Sequence, residues 1–329
     1  MRKNRNKNNY YKYVVILLAV AFLISAAFLF LNLWEKQQGL FPFFSDNDEV
    51  IVYNDKKYTL KENVETFLVL GLDKYIASST SNSYNNDKQA DFLMLFVFDN
   101  DKKTFSAIHI NRDTMTNVRV LAVDETKVVA KETKQVALAH TYGRGGEASC
   151  RNTADSVSDI LQGMKIDHYM SFTMDSVTAI NDFVGGVEVT VLDDFKGIDD
   201  SLIKGEKITL MGQQALNYVR SRSGLEDSTN ITRMKRQQQY INSLYDNISA
   251  KIDADDGFII KLIDKIDDYV VYDSSDHRMQ KYAEKFNEYE FQGIKQIKGE
   301  SVKGEEFMEF YPNRESVMEI VISLFYKLK

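Results

Sequence analysis

The sequence predicts an α/β protein, with a mixed central sheet held in an α/β/α sandwich behind a single N-terminal transmembrane helix. Three observations predict it. Thr66–Leu72 (TFLVLGL) and Phe92–Phe98 (FLMLFVF) are continuous apolar runs of strand length, as expected of strands covered on both faces. Strand-like and helix-like segments then alternate toward the C-terminus, the pattern of a layered α/β domain. Tyr13–Trp34 is free of charge for 22 residues, long enough to cross a bilayer as a helix.

Composition narrows the function classes. The chain has 329 residues, 44% of them hydrophobic, enough for one large domain or two small ones. A net charge of −7 offers no global basic field, so no nucleic-acid partner is expected. The one cysteine, Cys150, can form neither an internal disulfide nor a cysteine zinc site. His109, His140, His168 and His277 lack metal-ligand spacing. Pro42 and Pro312 are the only prolines, which excludes Pro-rich linkers, and no internal repeat is evident.

Taken in order, residues 1–12 carry Arg2, Lys3, Arg5, Lys7 and Lys12 without an acid. This basic flank predicts a cytoplasmic tail and a span at 13–34, with everything after Trp34 outside the cell, a single-pass type II protein of the plasma membrane. A cleaved signal peptide is the competing reading. Its apolar region would be too long, and only Ser25-Ala26-Ala27 resembles a cleavage site. Residues 35–63 read as a stalk carrying a short hairpin, IVYNDKKYTL, around Asn54-Asp55. Residues 64–329 read as one extracytoplasmic domain. Its first strand ends at Asp73, and Asp91 opens the second. Thr104–Asn111 is the third, running into Arg112-Asp113-Thr114. Ligand sites in open α/β sheets gather at such strand ends, although any one of these acids alone reads as a cap or turn residue.

Lys131–Ala139 is expected to be helical, leading into the glycine-rich His140–Gly146. Asn152–Gly163 and Asp175–Phe183 are expected helices, with a strand at Asp167–Thr173 between them. VEVTVLDDF after Gly185-Gly186 is an expected strand. The remainder predicts helices at Phe258–Val270, Arg278–Phe286 and Arg314–Tyr326. A strand pair is expected at Phe291–Lys298 and Glu306–Tyr311. Cys150, His140 and His168 read as buried structural residues.

Leu216–Gln239 concentrates five cations, Arg220, Arg222, Arg233, Lys235 and Arg236, in an acidic chain. In extended backbone Arg220 and Arg222 would face one way. A helix beginning at Thr229 or Asn230 would put Met234, Ile241, Leu244 and Ile248 on the core, and Arg233 with Gln237 on another stripe. Three arginines and a glutamine would then meet. Arginine forks suit phosphate oxygens, whereas the bland alternative is a solvated, ion-paired face.

Several motifs in this order resemble the LytR–CpsA–Psr family of cell-envelope proteins. They are Gly71-Leu72-Asp73, Ala90-Asp91, Asn111-Arg112-Asp113-Thr114-Met115, Ile166-Asp167-His168-Tyr169, Val184-Gly185-Gly186-Val187, Gly212–Arg222 and Arg233–Gln238. The resemblance runs from about Thr66 to Lys329. It implies transfer of a glycopolymer, such as teichoic acid or capsule, from a polyprenyl-pyrophosphate carrier to peptidoglycan. It implies Mg²⁺ held by Asp73 and Asp91, with Arg112, Arg220, Arg222, Arg233 and Gln237 on the pyrophosphate. Hard oxygen ligands suit Mg²⁺, and phosphoryl transfer needs charge neutralised on the phosphate and the leaving group. It also implies an apolar tunnel for the prenyl chain, for which Ile160–Val191 is the candidate lining; a filled core is the commoner use of such residues.

The sequence departs from the family pattern in three places. Asn230 stands where an acid is frequent, so the general base would be Asp227 from a shifted loop, or Asp113 or Asp91. Gln89 stands where a cation is common. A family lysine ahead of the glycine-rich loop is matched only by the candidates Lys134 and Arg144. Two other functions compete: a lipid pyrophosphatase using the same groups with water, and a non-enzymatic envelope or regulatory protein.

Overall fold

The computed structural model describes residues 50–72, 89–221, 230–255, 257–273, 276–305 and 307–329, all within one unit that spans 43–329. The expected membrane span 13–34 lies outside the described residues, among which no helix is long and apolar enough to cross a membrane.

The chain enters through β1 (Val50–Tyr53) and β2 (Lys56–Leu60), joined by a two-residue turn in which Asn54 and Asp55 both have positive φ (48° and 59°). Residues that tolerate the left-handed region make this tight turn, as expected of Asn-Asp. The hairpin that the sequence places in a stalk pairs instead with the last strand, β15 (Tyr326–Leu328), and Ile51 joins the core.

The central sheet uses β3 (Val64–Leu72), β4 (Ala90–Asp99), β5 (Thr104–Ile110), β8 (His168–Thr173), β11 (Val270–Tyr272) and β12 (Glu290–Gln296), in the order β11-β8-β3-β4-β5-β12. It is mixed: β3–β4, β4–β5 and β11–β8 are antiparallel, while β3–β8 and β5–β12 are parallel. The apolar runs of β3 and β4 take the middle because alternate residues meet two separate cores. Leu68, Leu70, Leu93 and Leu95 pack with α1 (Glu147–Ile160) and α7 (Arg314–Phe325). Val69, Met94 and Phe96 face α2 (Asp175–Phe183), α3 (Gln213–Arg220), α4 (Asn230–Ala254) and α5 (Phe258–Ile266). Phe67, Phe98 and Phe105 form a third cluster against α6 (Asp276–Glu288) through Tyr282 and Phe286. Helices thus cover both faces.

Several expectations change. Lys131–Ala139 is not an α-helix. Residues 115–121 and 128–135 form the ribbon β6 (Met115–Leu121) and β7 (Val128–Gln135), followed by a 3₁₀ turn over Val136–Tyr142. Most of β7 is exposed, so it carries no apolar period that would mark it, and its partner strand decides its state. Val187–Phe195 is a strand only as β9 (Val187–Thr190), paired with β10 (Lys207–Leu210) outside the central sheet. Gly186 before it has φ +93°, and a Cβ there would lie 2.6 Å from Met211 and from Thr209, so only glycine fits. The expected pair Phe291–Lys298 with Glu306–Tyr311 is also re-partnered. β12 joins the central sheet beside β5, and β14 (Met308–Pro312) pairs with β13 (Gly299–Lys303).

A candidate phosphate site beside an apolar cavity

Just after β5, Asn111–Thr114 is held on every side by backbone bonds. The N–H of Thr114 donates to Asn111 O (3.0 Å), that of Ala137 to Arg112 O (3.1 Å) and that of Phe310 to Asp113 O (2.8 Å). The 3₁₀ turn after β7, together with β14, therefore fixes the turn that carries Arg112 and Asp113. Both side chains are buried. Arg112 donates through Nη1 to Asp91 Oδ1 and through Nη2 to Gln89 Oε1, and its Nε lies 3.5 Å from Asp113 Oδ1. Asp113 also accepts from Gln135 Nε2 (3.1 Å), whose amide donates to Met308 O (2.6 Å) as well.

A second arginine reaches the same carboxylate from α4. Arg233 Nη1 lies 3.8 Å from Asp91 Oδ2, while its Nη2 donates to Asp91 O (3.3 Å) and to Asn230 Oδ1 (2.5 Å). Two guanidinium groups thus converge on Asp91, with Asp113 beside them. Buried charges persist only when so paired. The next turn of α4 pins α3: Gln237 Nε2 donates to Val219 O (3.1 Å) and Arg236 Nη2 to Ser221 O. Arg220, exposed at the end of α3, lies between these two bonded residues, Val219 and Ser221. It closes a helix, where the sequence predicts extended backbone shared with Arg222. The structure brings Asp91, Arg112, Asp113 and Arg233 into contact and sets Gln237 and the Arg220 backbone alongside. Asp73, Arg222 and Asp227 lie outside the described residues.

Four polar neighbours had no assigned role in the sequence reading: Asn111, Asn230 as an amide bridge, Gln135 and Arg236. Arg236 is 1% exposed, paired with Asp193 (2.8 Å), and its guanidinium stands 5.2 Å from the Phe195 ring. A cation of that kind is a structural strut rather than a ligand donor. Lys134 pairs with Glu132 (2.9 Å) and Arg144 donates to Val123 O (3.2 Å), on the ribbon side of the fold. His109, beneath the site, is pushed down to about 3 by burial and by the Arg233 charge, against a hydrogen bond to Gln237. Burial pushes the Cys150 thiol up to about 12, a packed residue rather than a nucleophile.

An apolar cavity of about 340 Å³ lies between the sheet and helices α2, α4, α5 and α6. Phe92, Val219 and Gln237, sequence neighbours of Asp91, Arg220 and Arg236, are part of its lining. Met170, Phe172, Met174, Val177 and Ile180 line it from the segment expected to do so, while Ile160 and Val191 belong to filled cores. Much of the wall comes from later helices, including Ile241, Leu244 and Ile248 of α4.

Among the described residues no three His, Cys, Asp or Glu are grouped to hold a metal ion. The carboxylate oxygens of Asp91 and Asp113 are nevertheless hard donors. Mg²⁺ accepts one or two carboxylates when phosphate and water complete its shell, so the residues present fit that ion.

The model of the LytR_cpsA_psr family matches residues 44–320. The chain belongs to this family. A Bacillus licheniformis relative named polyisoprenyl-teichoic acid–peptidoglycan teichoic acid transferase TagU is 27% identical over 254 residues, 75% of this chain and 74% of the relative. The Bacillus subtilis TagV transferase is 29% identical over 205 residues, 59% of this chain and 47% of its own. Among solved structures, TagT bound to LI-WTA aligns with a TM-score of 0.59 at 18% identity, covering 80% of this chain and 90% of TagT. The Bacillus subtilis TagV crystal structure aligns at 0.56 with 24% identity, covering 80% and 97%. These structures share the fold of this LytR–CpsA–Psr member.

Proposed function

We propose that this chain moves an anionic glycopolymer of the teichoic acid or capsule type from a polyprenyl-pyrophosphate carrier to peptidoglycan. One observation carries the reading: Arg112 and Arg233 converge on Asp91, while Phe92, next in sequence to Asp91, and Gln237, one turn after Arg233 on α4, line an apolar cavity. A pyrophosphate with a prenyl tail has the same two-part chemistry. The names of the TagU and TagV relatives support the donor and the acceptor. In the reaction, a sugar hydroxyl of peptidoglycan attacks the phosphorus that bears the glycopolymer. The new P–O bond forms as the bond to polyprenyl phosphate breaks. Polyprenyl phosphate departs, and the hydroxyl proton passes to a carboxylate, for which Asp113 is placed beside Arg112. Arg112 and Arg233, with Arg220, Arg222 and Gln237, would hold the phosphate oxygens and offset their charge. Asp91 with Asp73 would hold Mg²⁺, which when bound supplies further charge neutralisation at the pyrophosphate. The span at 13–34 would anchor the chain in the plasma membrane with this domain outside.

The test uses the full chain in detergent, a short-chain polyprenyl-pyrophosphate saccharide and peptidoglycan fragments, with Mg²⁺ or with EDTA. Expected are acceptor-dependent release of polyprenyl phosphate, its loss in EDTA, and a fall of at least about a hundredfold in Arg112→Ala, as for removal of a donor that stabilises transition-state charge. Release that does not need the acceptor indicates a pyrophosphatase. No release from the wild type ends the enzymatic reading.

A further inference from the structure

We propose that Asn230 and Asn111 form a neutral hydrogen-bonded relay that positions Arg233 for the phosphate, so that position 230 is a positioning residue and not the proton acceptor. The proposal rests on the pyrophosphate reading above. Both amides are buried. Asn111 Oδ1 accepts from the backbone N–H of Asp113 (3.0 Å) and from Asn230 Nδ2 (2.6 Å), and Asn230 Oδ1 accepts from Arg233 Nη2 (2.5 Å).

The two ends of this chain can only donate: one is a peptide N–H, the other a guanidinium. That dictates how both amides are turned, which coordinates alone leave open for Asn. The Asp113 N–H requires the Asn111 oxygen. That oxygen requires a donor on Asn230, and Arg233 requires an acceptor there. A residue at 230 must therefore donate on one side and accept on the other, which a carboxamide does and an ionised carboxylate does not. An ionised acid here would set two acceptors 2.6 Å apart with no proton between them. Turning Asn111 over would relieve that contact, but would leave the Asp113 N–H facing a donor. The relay links the turn that carries Asp113 to the first turn of α4. It fixes one edge of the Arg233 guanidinium while Asp91 takes the other. Such preorganisation holds a binding group in place before the ligand arrives. An amide has no basicity to take a hydroxyl proton, so the departure at 230 moves the base elsewhere without removing a support for Arg233.

The experiment compares the full chain in detergent with Asn230→Asp, Asn230→Ala and Asn111→Asp. It reads affinity for inorganic pyrophosphate with Mg²⁺, transfer rate and melting temperature between pH 5 and 8. At pH 8, Asn230→Asp should weaken pyrophosphate binding about tenfold or more. Measured relative to the wild type at each pH, which removes the titration of pyrophosphate itself, binding should recover as pH falls, because a protonated carboxyl again donates to Asn111. Asn111→Asp keeps an acceptor for both donors and should lose less than Asn230→Asp. Asn230→Ala should weaken binding at every pH. A purely structural role would lower the melting temperature without the pH-dependent recovery. Binding and transfer by Asn230→Asp equal to or above wild type overturn the proposal, since an acid at 230 would then be the better residue. If the wild type binds pyrophosphate but transfers nothing, the transferase reading fails while the binding comparison still decides the relay. If it binds none, both fall.

Discussion

His109 lies fully inside the protein, its ring centroid 5.2 Å from that of Phe92 and its Nδ1 3.4 Å from Gln238 Nε2. Burial and the nearby Arg233 hold its pKa at about 3, against about 6.5 in an unfolded chain. Between those values only the unfolded state binds the proton. Stability is therefore intact above pH 6.5 and falls as pH drops toward 3, by up to about 1.4 kcal/mol per pH unit from this one group. Urea unfolding followed by circular dichroism at pH 7 and pH 5 should show this loss, and His109→Gln should flatten it. An equal slope in the variant would assign the acid lability to other groups. The same burial explains why His109 drew no attention in the sequence: it sits in an alternating strand, and nothing in TFSAIHIN says that an arginine from α4, more than a hundred residues later, will lie over it.

At the scale of the element, α4 is one helix with three duties on three stripes. Arg233 faces the carboxylates, Ile241, Leu244 and Ile248 face the cavity, and Arg236 reaches Asp193. Periodicity foretold the apolar stripe, since residues spaced by three and four share a face. It could not separate Lys235, which is exposed, from its neighbour Arg236, which is buried. Their fates depend on the loop after β9, where Asp193 and Phe195 await the guanidinium. Arg236→Ala should cost about 3 kcal/mol or more, because it leaves Asp193 without its partner in a poorly hydrated place. It should also loosen the end of α3 that carries Arg220, through the lost bond to Ser221 O. Lys235→Ala should stay within about 0.5 kcal/mol. Equilibrium unfolding of the two variants side by side checks this, and equal losses would contradict the strut.

For the whole molecule, the sheet divides two kinds of interior. The face toward α1 and α7 is filled by Leu, Val and Ile, whereas the face toward α4, α5 and α6 keeps an apolar cavity of about 340 Å³. Interiors are ordinarily close-packed, so an apolar space of this size marks a place for a ligand. Leu244→Trp, placed in its wall, should weaken binding of farnesyl pyrophosphate about tenfold or more while inorganic pyrophosphate binds as before. Calorimetric titration with both ligands reads the difference, and parallel changes would mean that the tail does not enter the cavity.

What the sequence determined by itself were the features set by local pattern. β3 and β4 follow from unbroken apolar runs, the β1–β2 turn from Asn54-Asp55, and α2 and α7 from helical spacing. Motif order also brought Asp91, Arg112, Asp113 and Arg233 under suspicion as a group. What only the tertiary structure decided were partners. β7 is a strand because β6 lies beside it, β12 belongs to the sheet because β5 offers an open edge, and the first hairpin joins the body because β15 returns to it. The role of Asn230 was decided in the same way: alone it is an amide where an acid is frequent, and only Asn111 on one side with Arg233 on the other makes it the residue that must both donate and accept. Pairing across long sequence separation leaves no period in the chain, because the energy that selects it resides in the partner.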